Sequence, residues 1–141
     1  FRKALQRYGN GPAAYASTAL EQPTARAVVE GYLRGAARTA TLPADFSGCL
    51  TVQGALADSP GSSAAHELLV DWRTSAEGRL AARLQRAIDE GDLPAHADPE
   101  HLARYVMTLG YGIAVQAANG VGRDELERIA DTAMLAWPPL P

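Results

Sequence analysis

The segment Asp98–Asn119 reads as a helix that is apolar on two faces. Leu102, Val106, Leu109, Ile113 and Ala117 recur at the spacing of one helical face. Ala103, Met107, Tyr111, Ala114 and Ala118 make a second stripe, with Gly110 and Gly112 among them. A helix on the surface of a domain is polar around the rest of its circumference, whereas one apolar nearly all round is covered on several sides. The last helix repeats the pattern more weakly. Leu126, Ile129, Ala130, Ala133 and Trp137 face one way, and Thr132 and Leu135 another. A chain of 141 residues forms one domain with one core. Two consecutive helices buried all round are therefore expected to pack on the same helices of a second copy. Met107, Tyr111, Ala114, Ala118, Thr132 and Leu135 would then meet in an isologous four-helix interface of a homodimer. The alternative is a central helix inside a monomeric bundle.

The rest of the chain divides into helical blocks at its punctuation residues. Phe1, Ala4, Leu5 and Tyr8 share one face of a helix that Gly9-Asn10-Gly11-Pro12 ends. Ala13–Leu20 reads as a short helix. Pro23 suits the first position of the next one, whose stripe is Ala25, Val28, Val29, Tyr32, Leu33 and Ala36. Asp45–Cys49 opens a short helix reaching about Ala57. A loop follows, and then a long helix from about Ala64 to Glu90 with the stripe Leu68, Leu69, Trp72, Ala76, Leu80, Leu84, Ala87 and Ile88. Gly91 is suited to end it and Pro94 lies just beyond. Asp98 caps the two-faced helix with Pro99 at its first position, Gly120 stops it, and Asp124 and Glu125 open the last helix in accord with its dipole. The fold class is all-α.

Composition narrows the function. Hydrophobic residues make up 47% of the chain, which argues against disorder. The net charge is −3 and the isoelectric point near 5.6, with no basic patch, so these residues by themselves are not expected to hold DNA. One cysteine, Cys49, excludes an internal disulfide and fits a reducing cytoplasm. No apolar run has the length of a membrane span and no signal peptide is apparent. The opening Phe1-Arg2-Lys3-Ala4-Leu5, without an initiator methionine, suggests part of a longer product.

Candidate chemistry is sparse. Cys49, close to a helix start, is either a redox-sensitive thiol or a small buried hydrophobe. His66, His96 and His101 have no i, i+4 metal-ligand spacing, and Asp98-x-x-His101 is better explained by capping, so no metal or cofactor is expected. Ser47-Gly48-Cys49 lacks the flanking glycines of a nucleophile elbow, and Gly120-x-Gly122 follows no strand, so neither catalysis nor a phosphate loop is indicated. Arg73, Arg79, Arg83 and Arg86 read as a solvated face with Arg73–Glu77 and Arg86–Glu90 ion pairs. A role for Arg73 or Arg79 toward an acidic ligand is the alternative.

Several motifs in order resemble the regulatory domain of TetR-type (tetracycline-repressor-like) transcription regulators. They are Phe1-x-x-Ala4-Leu5-x-x-Tyr8, Pro23-Thr24-Ala25-Arg26, Gly48-Cys49-Leu50, Asp98-Pro99-Glu100-x-Leu102-Ala103-Arg104 and Gly112-Ile113-Ala114-Val115-Gln116-Ala117. Together they cover essentially the whole chain. The resemblance implies a C-terminal helical bundle dimerising through its last two helices. It also implies a DNA-reading helix-turn-helix that precedes such a domain and has no counterpart in these residues. Operator DNA would be a partner only through that missing N-terminal domain.

The resemblance further implies a small-molecule pocket among the middle helices. The inward stripe of the long helix contributes Leu69, Trp72 and Ala76. Tyr8, Phe46, Cys49, Gln53, Tyr105 and Leu109 complete the expected lining, with Gln53 and Tyr105 supplying the few polar contacts. The expected effector is small and mainly apolar. The rival functions are a small all-α enzyme and a ligand-free helical dimerisation module.

Overall fold

The computed structural model describes residues 1–42, 48–56 and 63–139. Helix α1 spans Arg2–Asn10, and a single 3-10 turn at Pro12–Ala14 leads into α2 at Tyr15–Leu20. Then come α3 (Ala25–Ala40), α4 (Leu50–Leu56), the long α5 (Ser63–Asp89), α6 (Pro99–Ala118) and α7 (Arg123–Leu135). Every element among the described residues is helical.

The ends are set by local chemistry. Thr24 is the N-cap of α3, its Oγ1 accepting from the Ala27 N–H at 3.2 Å. Pro23 thus lies before the cap and not at the first helical position, because the Thr24 hydroxyl satisfies a donor that proline has no means to satisfy. Asp92, just beyond α5, accepts the Ala25 N–H as well. Gly91, at φ +79°, ends α5 in a Schellman pattern: its own N–H bonds the Ile88 carbonyl and the Asp92 N–H bonds that of Ala87. Asp98 caps α6 at 3.0 Å from the His101 N–H, with Pro99 in the first turn.

Helix α3 packs against α2, α6 and α7, α6 lies between α3 and α5, and α4 rests on α5. Val28, Val29 and Leu33 of α3 meet Leu80 and Leu84 of α5, Val106 and Ile113 of α6 and Leu126 of α7 in a fully buried core. Arg34 ties α3 to α7 by bonding Asp131 while holding Glu30 of its own helix.

Both stripes of α6 find much of their cover inside the chain. Leu102, Val106 and Ile113 are buried on one, and Ala103, Met107 and Ala114 on the other. The two-faced pattern therefore follows from the central position of α6 and does not by itself demand a second copy. The arginine face of α5 also differs from the expected solvated one. Arg83 is only 6% exposed and donates to the Leu20 carbonyl at 3.2 Å and the Gln22 carbonyl at 2.8 Å, the groups left over at the end of α2. Arg86 pairs with Glu90 as expected. Glu77 pairs instead with Arg104 of α6 at 2.9 Å, and Arg73 bonds the Thr51 carbonyl at 2.8 Å. No helix of the described residues is long and apolar enough to cross a membrane.

Candidate functional site

A cavity of about 290 Å³ opens between α1, α2, α3, α5 and α6, with the start of α4 at its edge. Tyr8, Gly9 and Asn10 line it from α1, and Ala13, Tyr15, Ala16 and Ser17 from the next turn and α2. Helix α3 contributes Tyr32, Ala36, Thr39 and Ala40, and the approach to α4 contributes Gly48, Cys49 and Thr51. The remaining wall is Trp72, Arg73, Ala76 and Arg79 of α5 with Met107, Gly110, Tyr111 and Ala114 of α6.

Aromatic rings dominate this lining because small residues make room for them. The Tyr15 ring lies on the backbone of Gly35, and the indole of Trp72 on that of Gly9, in both cases where a Cβ would stand. Tyr15 and Tyr32 meet edge to face, centroids 5.6 Å apart at 62°. Buried hydroxyls need partners, and here two of them find sulfur. Tyr8 donates to Cys49 Sγ at 3.3 Å, and Tyr32 donates to Met107 Sδ at 2.9 Å. Cys49 Sγ also shares a hydrogen with Thr51 Oγ1 at 3.0 Å. Desolvation pushes the Tyr8, Tyr15 and Tyr32 phenols well above the ordinary tyrosine value. Tyr111 is raised by desolvation to about 12, against the pull of the Arg73 charge. All four rings are neutral donors at physiological pH. Among the described residues no cluster of His, Cys, Asp or Glu has the makings of a metal site.

Of the residues expected in a pocket, Tyr8, Cys49, Trp72 and Ala76 line this cavity. Phe46 lies outside the described residues. Leu69 is 2% exposed and packs on the backbone of Gly54, joining α5 to α4. Gln53 is exposed, its amide folded against Gly48. Tyr105 and Leu109 lie in a separate groove with Glu125, Arg128, Ile129, Thr132, Ala133 and Ala136, between α6 and α7. Two residues along a helix turn it by about 200°, so positions 105 and 109 point away from position 107.

The residues expected between subunits divide in the opposite sense. Met107 and Ala114, 3% and 4% exposed, face the cavity with Tyr111. Ala118, Thr132 and Leu135 are exposed, Leu135 at 88%. The first stripe of α6 is buried in the core at Leu102, Val106, Ile113 and Ala117 and reaches the outer groove at Leu109, while the second faces the cavity through Met107, Tyr111 and Ala114. Periodicity marks a face as apolar and carries no information on which neighbour covers it. Tyr15, Tyr32, Thr39 and Thr51 line the cavity without having been expected there, and Arg73 and Arg79, given an acidic-ligand role only as the alternative to a solvated face, line it as well. Gly35 and Gly110, mid-helix glycines facing tyrosine rings, are the sequence signal that could have found two of them.

Comparison with known proteins agrees with this architecture. The family described as "Tetracyclin repressor-like, C-terminal domain" matches residues 23–134. The HTH-type transcriptional repressor ComR of Escherichia coli is 27% identical over 142 aligned positions, covering 99% of this chain and 68% of that protein. Among solved structures, a cysteine-substituted mutant of the TetR family transcriptional regulator CifR, complexed with 26-base-pair operator DNA, superposes with a TM-score of 0.89. It is 35% identical, over 98% of this chain and 73% of that one. A TetR transcriptional regulator from Rhodococcus gives a TM-score of 0.79 at 36% identity, over 98% and 74% of the two chains. These relatives are transcriptional regulators. With the match spanning most of its length, the chain belongs to the tetracyclin repressor-like (TetR) family of transcriptional regulators and carries that family's C-terminal regulatory domain.

Proposed function

We propose that the cavity bounded by α1, α2, α3, α5 and α6 is the effector site of this regulator, and that its occupancy controls the affinity of a DNA-reading segment outside these residues for operator DNA. The observation that carries this is the lining itself. Rings and small side chains enclose a space of about 290 Å³, with neutral hydroxyl donors aimed among them. Small-molecule sites combine apolar walls with a few placed polar groups in this way. Helix α1 forms one wall through Tyr8, Gly9 and Asn10 while burying only Leu5, so it is lightly attached. A ligand that fits one position of α1 better than another shifts the balance between DNA-competent and incompetent forms. The coupling equals its difference in affinity for the two. The lining is less apolar than the sequence suggested, and the effector is accordingly amphipathic.

The homodimer is part of this proposal, placed on the outer face of α6 and α7. Support comes from the half-buried Tyr105, Leu109, Ile129 and Ala133, together with exposed Val115 and Leu135. The cytoplasm is the compartment such a regulator would occupy.

The test is Ala76→Trp, which fills the cavity from α5. Thermal melts of the unsubstituted chain are run against a library of small amphipathic compounds. At least one should raise the melting temperature, and the substitution should abolish that rise with little loss of stability. A strongly destabilised Ala76→Trp, with no compound shifting the unsubstituted chain, would show a solid core and remove the effector site.

A further inference from the structure

We infer that the ligand of this cavity is a small aromatic monocarboxylate, its ring among Tyr8, Tyr15 and Trp72 and its carboxylate at Arg73. The inference rests on the cavity being the effector site and specifies the chemistry that site selects.

Charge is the first ground. Arg73 and Arg79 line the cavity, and among the described residues no aspartate or glutamate does. Glu77, one turn after Arg73, would ordinarily neutralise it. Arg104 instead draws that carboxylate outward at 2.9 Å. Arg73 forms no ion pair among the described residues and spends one N–H on the Thr51 carbonyl at 2.8 Å, leaving its other donors for a ligand. Its charge also reaches the Tyr111 phenol, where it acts more strongly than that of Glu77. Arg79, exposed at the rim and bonded to Ser75 Oγ, adds a second positive charge that favours entry of an anion.

Hydrogen-bonding capacity points the same way. The Tyr8 and Tyr32 hydroxyls donate to Cys49 and Met107, and sulfur is a weak acceptor. An incoming carboxylate oxygen is a better one, so these donors transfer to it at small cost. A cationic ligand would meet two like charges and, among the described residues, no carboxylate.

Shape supplies the ring. Tyr15 stands edge-on to Tyr32, and Trp72 lies across the opposite wall on Gly9, an arrangement of faces and edges suited to a planar group. A volume of about 290 Å³ falls at the lower limit of ordinary ligand sites. It suits one ring with a short side chain and excludes a fatty acyl chain.

The test compares matched pairs by calorimetry on the unsubstituted chain, Arg73→Gln, Arg73→Lys and Ala76→Trp, each first shown to be helical by circular dichroism. The probes are benzoate with benzamide, and trans-cinnamate with cinnamamide. The expected result is roughly tenfold or greater preference for the acid over its amide. That preference should be lost in Arg73→Gln and partly kept in Arg73→Lys, with all binding blocked in Ala76→Trp. Amides that bind as well as acids, and are blocked by Ala76→Trp, would overturn the carboxylate inference and leave the effector site standing. The same holds for an acid preference unchanged in Arg73→Gln. Binding of no probe would overturn the inference, and binding indifferent to Ala76→Trp would remove the cavity reading as well.

Discussion

The indole of Trp72 lies against the backbone of Gly9, occupying the space a side chain there would need. One aromatic ring of α5 thereby sets how closely α1 approaches the body of the domain. Gly9→Ala should push the ring aside. Replacing glycine with alanine in a helix gains up to about 1 kcal/mol, and less here because Gly9 is one residue from the helix end. Forcing a side chain into occupied space costs about 1–3 kcal/mol, so the net change is destabilising. Urea unfolding of the variant should show a lower midpoint at unchanged slope. A higher midpoint would mean that α1 and Trp72 are not in firm contact.

Arg83 should behave as a structural residue although it sits on the face of α5 where the sequence suggests solvent. Arg83→Met keeps much of the stem and removes both bonds to the Leu20 and Gln22 carbonyls. Bonds to a charged donor are worth about 1.5–3 kcal/mol each, and one guanidinium nitrogen is already buried without a partner, which lowers the sum. A loss of about 2–3 kcal/mol is expected in chemical denaturation. Arg86→Met, which removes only a surface pair, should cost less than about 1 kcal/mol.

Association should depend on the outer face of α6 and α7. Leu109→Glu and Leu135→Glu, at half-buried and exposed positions, should shift sedimentation equilibrium toward monomer without loss of helix. Ala114→Arg is expected to act differently. Ala114 is buried against the cavity, so the change should lower the melting temperature of the monomer itself. Sedimentation and circular dichroism on the three variants separate the two effects.

Alkali should unfold the chain through its tyrosines. The folded-state pKa values of Tyr8, Tyr15, Tyr32 and Tyr111 all lie above the ordinary value of 10.0, desolvation being the main cause in each. The folded form therefore holds these protons more tightly than the unfolded form. The resulting stability is present in full below pH 10 and is lost as the pH climbs through the folded values. Melting temperature should fall steeply above pH 10, and tyrosinate absorbance at these rings should appear together with loss of helix. Tyr15→Phe should make the decline shallower, and an unchanged decline would show that Tyr15 ionises freely in the folded state.

The helix ends were the most legible part of the fold, because each is decided within a few residues. Asp98-Pro99 and Gly91 act where their local chemistry directs them. The all-α class and the core stripe of α3 follow from periodicity just as directly. The site was legible only in part. Tyr8, Cys49, Trp72 and Ala76 could be placed because they precede or share the inward side of an element. Tyr32 and Met107 meet across 75 positions, and nothing local announces such a contact. Arg73 shows the same limit from the polar side. Its spacing to Glu77 suggests an ion pair, but Arg104 from a different helix captures that acid and releases Arg73.

The corner between α2 and α3 is held at both ends by the same helix and the turn that follows it. Arg83 grips the carbonyls at its start, and Asp92 takes the amide at its finish. Tyr15 and Tyr32, the rings this corner carries, are thus anchored like a fixed jaw. The facing jaw, α1, closes on the space with a single buried leucine behind it. On the proposed effector reading, a guest that is too large or too small would be accommodated by movement on that side. On that reading, the size of what the domain holds would be expressed as the tilt of its first helix.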